Sequence, residues 1–164
     1  MKGTLACLAL VALAPLAAQP AGMPSGVLGD WQDPTGSVIR IGSCGNRVCL
    51  WLIRLNPSAP ATTDIHNPDP GLRPRALCGL MIGSGFALRD PDHASGGTLY
   101  DPKTGKTYHG SITAAGTVKT AAGKAGNAKL ELRGYVGIPL FGASQTWTRP
   151  AAPVVPCGAV PPAN

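Results

Sequence analysis

Hydrophobic positions along this chain follow three regimes. Leu5 to Leu16 is a continuous apolar run broken only by Pro15; from about Gly29 to Arg149 apolar residues come in short alternating stretches; beyond Pro150 proline dominates. The middle regime is the folded one. Alternation with a period of two, interrupted every few residues by Gly, Pro, Asn or Asp, predicts short β-strands joined by tight turns. No stretch after the leader sustains a helical period.

The clearest hairpin joins Ser37–Gly42 to Val48–Leu55 through Gly45-Asn46. With Cys44 facing Cys49, the expected register sets Gly42 opposite Trp51, Arg40 opposite Ile53 and Val38 opposite Leu55. The opposite face then holds Ile39, Ile41, Leu50 and Leu52. Both faces are apolar, so both need cover: one from a barrel interior, the other from the segment Asn56–Arg75 or a partner. Further strands are expected over Leu77–Leu88, with Leu80, Ile82, Phe86 and Leu88 on one face. Gly97–Tyr100 and Thr107–Ile112 flank a turn at Asp101–Lys106, Leu130 to Val136 forms a half-buried strand, and Ser144–Arg149 closes the set. The strand set starts at Gly29-Asp30-Trp31 and ends at Trp147-Thr148-Arg149, which predicts an antiparallel sheet closed on itself. The expected fold class is all-β, a single antiparallel barrel.

Asn56–Arg75 carries Pro57, Pro60, Pro68, Pro70 and Pro74 with no usable periodicity. Asp64, His66, Asn67 and Asp69 crowd its centre. Two readings stand: a metal or polar-ligand site, or turn chemistry in which Asn67-Pro68 and Asp69-Pro70 each start a bend.

Lys2 followed by the apolar run and then Ala17-Ala18 reads as an export signal, with cleavage after Ala18. The run is too short to span a membrane, which takes about 20 residues. The expected organisation is a signal peptide over 1–18, a barrel over 27–149 and a Pro-rich tail over 150–164. Loss of Lys2 lowers the formal charge from +6 to +5. The basic residues are scattered, with Lys119, Lys124 and Lys129 reading as solvated spacers in an Ala/Gly-rich stretch. Their sign favours anionic glycans or headgroups, and without a basic stripe interleaved with aromatics no nucleic-acid partner is expected.

Cys44, Cys49, Cys78 and Cys157 remain after cleavage, an even count that in an exported chain argues for disulfides. Of three pairings the favoured one is Cys44–Cys49 with Cys78–Cys157, the second pinning the tail. Zinc fits poorly, because the Cys44-x4-Cys49 spacing is loose and no His pair accompanies it.

Catalytic signatures do not assemble. Gly105-Lys106-Thr107 lacks the upstream Gly of a phosphate loop, Tyr100 standing there instead, and lies in a hairpin turn. Ser84 between Gly83 and Gly85 does not match the hydrolase elbow. Glu131 is the only glutamate, and His66, His93 and His109 are isolated. No catalytic residue, metal or cofactor is assigned.

The ordered blocks Gly29-Asp30-Trp31, Val38-Ile39-Arg40-Ile41 leading to Cys44 and Cys49, Asp64-Ile65-His66-Asn67-Pro68-Asp69-Pro70, Leu77-Cys78-Gly79-Leu80, Gly97 to Tyr108, Arg133-Gly134-Tyr135-Val136-Gly137 and Phe141-Gly142 through Trp147-Thr148-Arg149 resemble the exported bacterial family called domain of unknown function 2147. The resemblance implies a lipocalin-like barrel in a Gram-negative envelope, with no established activity. The Ala/Gly/Lys-rich segment and the tail with Cys157 depart from the family pattern. By the lipocalin comparison, Trp31 would pack at the closed end beneath Arg149, a structural pair.

The functional expectation is a periplasmic or secreted, non-enzymatic binder of a small apolar or anionic amphipathic ligand. Arg40 and Trp51 are the candidate ligand contacts if their face points inward. The alternatives are a cavity-less module that binds other envelope proteins and, third, an envelope hydrolase.

Overall fold

The structure, a computed structural model, is described over residues 26–115 and 128–160. The leader, Lys119 and Lys124 therefore lie outside the described residues. Eight strands follow in order: β1 (Gly29–Gln32), β2 (Val38–Cys44), β3 (Arg47–Arg54), β4 (Met81–Asp90), β5 (His93–Asp101), β6 (Lys106–Ala115), β7 (Lys129–Tyr135) and β8 (Gly142–Thr148). Each pairs antiparallel with the next, and Gln32 of β1 pairs with Thr148 of β8 to close a barrel. Helical structure among the described residues is confined to two 3-10 turns, Pro70–Leu72 and Pro139–Phe141. The all-β, single antiparallel barrel expectation is what the fold shows.

In an up-and-down barrel alternate connections share a pole. The β1–β2, β3–β4, β5–β6 and β7–β8 connections therefore surround one end, the mouth, and the remaining connections cap the other.

The core is the inward face of these strands. Trp31, Ile41, Leu50, Phe86 and Leu130 are wholly buried, with Ile39 and Ile112 nearly so. Small residues make room for large ones: a Cβ on Gly97 would lie 2.3 Å from the Phe86 ring. Outside the wall sits a second apolar cluster of Val38, Cys49, Trp51 and Ile53, packed against Val154 and Val160. The cover on that outer face is thus the Pro-rich tail rather than Asn56–Arg75. The Cys157 amide donates to the Ile53 carbonyl at 2.8 Å, and Cys157 is disulfide-bonded to Cys78.

The β2–β3 register differs from expectation by two residues. Cys44 pairs with Arg47, Gly42 with Cys49 and Arg40 with Trp51, while at Val38, beyond an irregularity between Val38 and Ile39, the difference is one residue and the partner is Arg54. Gly45-Asn46 forms a two-residue turn, so the Cys44–Cys49 disulfide runs diagonally, its Cα atoms 5.9 Å apart. Leu80, Ile82 and Phe86 pack on one core, as the expected apolar face requires, while Leu88, paired with the buried Ala94, is 45% exposed near the end of β4. Val136 falls beyond β7 and is exposed, not part of a half-buried strand.

Candidate functional site

The mouth opens into a cavity of about 950 Å³, within the roughly 300–1,000 Å³ typical of ligand pockets. Its wall is apolar where the strands build it: Ile39 and Leu52 from the first hairpin, Leu99 from β5, Leu132 from β7 and Trp147 from β8. These positions alternate with outward neighbours, as the strand period demands. Below them Phe86, Leu50, Ile112 and Leu130 fill the closed half. Inside the wall the polar groups are few, with Tyr108 and Gln145 among the lining residues, and the Gln145 Oε1 accepts from Trp147 Nε1 at 3.2 Å. A cavity with that lining can hold an apolar body and offers a small number of polar anchors.

Polar character collects at the rim. Asp33, Ser37, His66, Asp101 and Lys103 line it. Both rim aspartates are committed to their own turns. Asp33 accepts from the Thr35 and Ser37 amides at 2.9 and 3.0 Å, and Asp101 from the Lys103 amide at 3.0 Å and the Thr104 hydroxyl at 2.9 Å.

The long β3–β4 connection lies across the mouth and is anchored by Asp64, which is fully buried. Tyr100 Oη donates to Asp64 Oδ1 at 2.6 Å, Asn67 Nδ2 to Oδ2 at 2.7 Å, and Arg75 reaches Oδ2 at 2.7 Å through Nη2. Burial pushes this carboxyl up, but the bonds from Tyr100, Asn67 and Arg75 outweigh it and hold it below its ordinary value. The Tyr100 hydroxyl is raised by burial and by the adjacent Asp64 charge. Arg75 also stacks on the Tyr100 ring, 5.5 Å from its centroid. Turn chemistry accounts for the rest: the Asp69 amide donates to Asn67 Oδ1 at 2.9 Å and the Gly71 amide to Asp69 Oδ1 at 2.8 Å. Among the described residues no group of three or more His, Cys, Asp or Glu could hold a metal ion. Gly105 locks this connection to the β5–β6 turn. Its φ is +69°, and a Cβ there would fall 2.0 Å from the His66 carbonyl oxygen.

Arg40 and Trp51 do not line the cavity. They lie side by side on the outer face of the first hairpin, where Trp51 is 5% exposed beneath the tail. Arg40 makes a bidentate pair with Asp30, Nε to Oδ1 at 2.7 Å and Nη2 to Oδ2 at 2.9 Å. That hydrogen bonding raises its already high pKa. The condition attached to their ligand role, an inward-pointing Trp51 face, is not met.

Trp31 and Arg149 meet at the capped pole. The guanidinium carbon lies 3.6 Å from the indole centroid. Arg149 Nη2 donates to the Gly26 carbonyl at 2.9 Å and Nη1 to that of Asp30 at 3.2 Å, while Trp31 Nε1 donates to the Val27 carbonyl at 2.8 Å. Burial pulls the Arg149 pKa down to about 10, against the opposing charge of Asp30, so the group stays cationic at neutral pH.

The three histidines are dispersed. His66 is at the rim, His109 stands beside Tyr135 with rings 5.8 Å apart, and His93 pairs with Asp90 at 2.8 Å at the capped pole. The residues that sequence reasoning missed are Tyr100 and Arg75, which come to Asp64 from distant positions, and the apolar rim turn 136–141. The turn had a readable signal: six consecutive uncharged residues between strands.

A closed eight-stranded antiparallel barrel around an open, apolar cavity is the architecture of a lipocalin-like protein. The chain belongs to the family described as "Uncharacterized protein conserved in bacteria (DUF2147)", whose model matches residues 29–149. Among solved structures it is similar to one described as "Protein HP1028 from the human pathogen Helicobacter pylori belongs to the lipocalin family". That likeness has a TM-score of 0.61 at 22% identity, over 76% of this chain and 82% of that one. No curated protein matches it in sequence.

Proposed function

We propose that this chain is an exported, non-enzymatic carrier of a small apolar or amphipathic ligand, working in the periplasm or secreted. The observation that carries the reading is the open cavity of about 950 Å³ with an apolar strand-built wall and a polar rim. The rim aspartates are occupied by turn amides, and the buried Asp64 carboxylate is occupied by Tyr100, Asn67 and Arg75. They act as struts for the mouth. Two disulfides, Cys44–Cys49 and Cys78–Cys157, fit an oxidising compartment. In this reading residues 1–18 are the export signal, 27–149 the barrel and 150–164 a tail, of which the described part, 150–160, covers its outer face. Lys103, the one Lys or Arg among the described cavity-lining residues, is suited to the headgroup of an anionic amphiphile.

Native mass spectrometry of protein purified from its own host should show a copurifying small molecule, and a fluorescent fatty-acid probe should bind and be displaced by it. A folded protein that takes up no such probe and carries nothing from its host would overturn the carrier reading.

A further inference from the structure

We propose that the β7–β8 turn is a membrane-docking tip, seated at the headgroup–acyl boundary of a lipid bilayer with the mouth of the barrel facing the lipid. Residues 136–141 read Val-Gly-Ile-Pro-Leu-Phe and contain no polar or charged side chain. Val136, Ile138, Leu140 and Phe141 are 67%, 55%, 77% and 74% exposed. Exposed apolar residues scattered singly need no explanation, but four within six residues form a patch of the kind that marks an interaction surface. The turn is also held in shape without any partner. Arg133 Nε donates to the Pro139 carbonyl at 3.0 Å, and Pro139–Phe141 is a 3-10 turn.

Three observations favour a bilayer as the occupant. A short turn this exposed presents a tip rather than a groove, and a tip is buried by insertion. The patch also runs into the cavity: Val136 and Phe141 are exposed and at the same time line it, and Ile65, 48% exposed, lines the same mouth. An acyl chain leaving the bilayer would keep apolar contact all the way to the wall of Leu132 and Trp147. Finally, the net charge of the chain agrees in sign: it is a formal +5 once the leader with Lys2 is removed, and at the rim Lys103 stands beside Asp33 and Asp101, whose carboxylates are bonded to their own turns. Together these describe an interfacial anchor of apolar side chains assisted by basic charge.

The proposal extends the carrier reading, and one pair of assays separates the two. Ile138 and Leu140 do not line the cavity, so the double variant Ile138→Asp/Leu140→Asp removes the tip without touching the wall. Vesicles of phosphatidylethanolamine and phosphatidylglycerol should co-sediment the full chain, including in about 0.5 M salt, where surface charge is screened. The double variant should bind them at least about tenfold more weakly, with an unchanged melting temperature and unchanged uptake of a fluorescent fatty-acid probe. Failure of the wild-type chain to sediment, equal sedimentation of the variant, or loss of wild-type binding in salt would each overturn the docking proposal. A wild-type chain that sediments with vesicles but takes up no probe would keep the docking surface and count against the cavity reading.

Discussion

Arg149 lies over the face of Trp31, its guanidinium carbon 3.6 Å from the ring centroid, so the end of the last strand stacks on the first. This contact does what one backbone pair between β1 and β8, Gln32 with Thr148, does weakly: it ties the two edges of the sheet together. The guanidinium also satisfies the Gly26 and Asp30 carbonyls. A desolvated cation–π contact contributes about 2 kcal/mol. Arg149→Ala should therefore lower the melting temperature by about 6 °C or more for a domain of this size. Arg149→Lys should recover only part of that, because an ammonium cannot stack flat and reach both carbonyls. A melt of Arg149→Ala that matches wild type would remove the clasp from the account.

The mouth connection should come loose in acid. Asp64 is held below its ordinary pKa in the fold by Tyr100, Asn67 and Arg75, whereas in the unfolded chain it titrates near about 3.9. A carboxyl depressed by folding stabilises the native state fully above the unfolded value, and that contribution drains away as pH falls through the folded one. Asp64→Asn should cost about 2 kcal/mol at neutral pH, by loss of charge-assisted bonds to Arg75 and Tyr100. The stability gap between the two proteins should narrow below about pH 4. Denaturant melts at several pH values decide it; a gap that stays constant into strong acid would contradict the role given to Asp64.

Much of the wall was legible because strand alternation survives errors of register. The first hairpin slipped by two residues when Cys44 was set opposite Cys49, yet an even slip keeps every side chain on its own face. Ile39, Ile41, Leu50 and Leu52 thus remained partners in one core, and Arg40 remained beside Trp51. Which face pointed inward was not legible. Both were apolar, and the choice depended on a tail more than a hundred residues away laying Val154 and Val160 on Trp51. The Asp64 cluster illustrates the other limit. Its Asn67 partner is local, but Tyr100 arrives from β5 only once the barrel exists. In β4 Leu88 pairs with the buried Ala94 and so shares the face of Phe86, but it lies near the strand's end and is 45% exposed, which alternation gives no means to anticipate.

The two disulfides should differ in worth. Loop-closure entropy grows with the length of chain enclosed, and Cys78–Cys157 spans 79 residues against 5 for Cys44–Cys49. The expected contributions are about 4 and about 2 kcal/mol. Cys157→Ser should also free the tail and expose Trp51, now 5% accessible, red-shifting the tryptophan emission. Cys44→Ser/Cys49→Ser should leave the emission near its wild-type position. If both variants lose equal stability and Cys157→Ser shows no spectral change, the tail is not the cover of that face.

Adding volume inside the barrel should have opposite consequences in its two halves. In the filled half, Gly97 gives its space to the Phe86 ring, 2.3 Å from where a Cβ would sit. Because Phe86 is itself wholly buried, it has nowhere to retreat. Gly97→Ala should destabilise by about 1–3 kcal/mol through overpacking. Leu132, by contrast, faces open cavity, so Leu132→Trp adds atoms to empty space and should leave the melting temperature near wild type. The same change should weaken uptake of a fluorescent fatty-acid probe at least about tenfold, because the added indole occupies the volume the acyl chain needs. Titration of the probe into both variants distinguishes the halves. Leu132→Trp binding as tightly as wild type would mean that the ligand lies elsewhere than in the barrel, whereas a well-folded Gly97→Ala with unchanged stability would mean that the closed half is looser than the Phe86 packing implies.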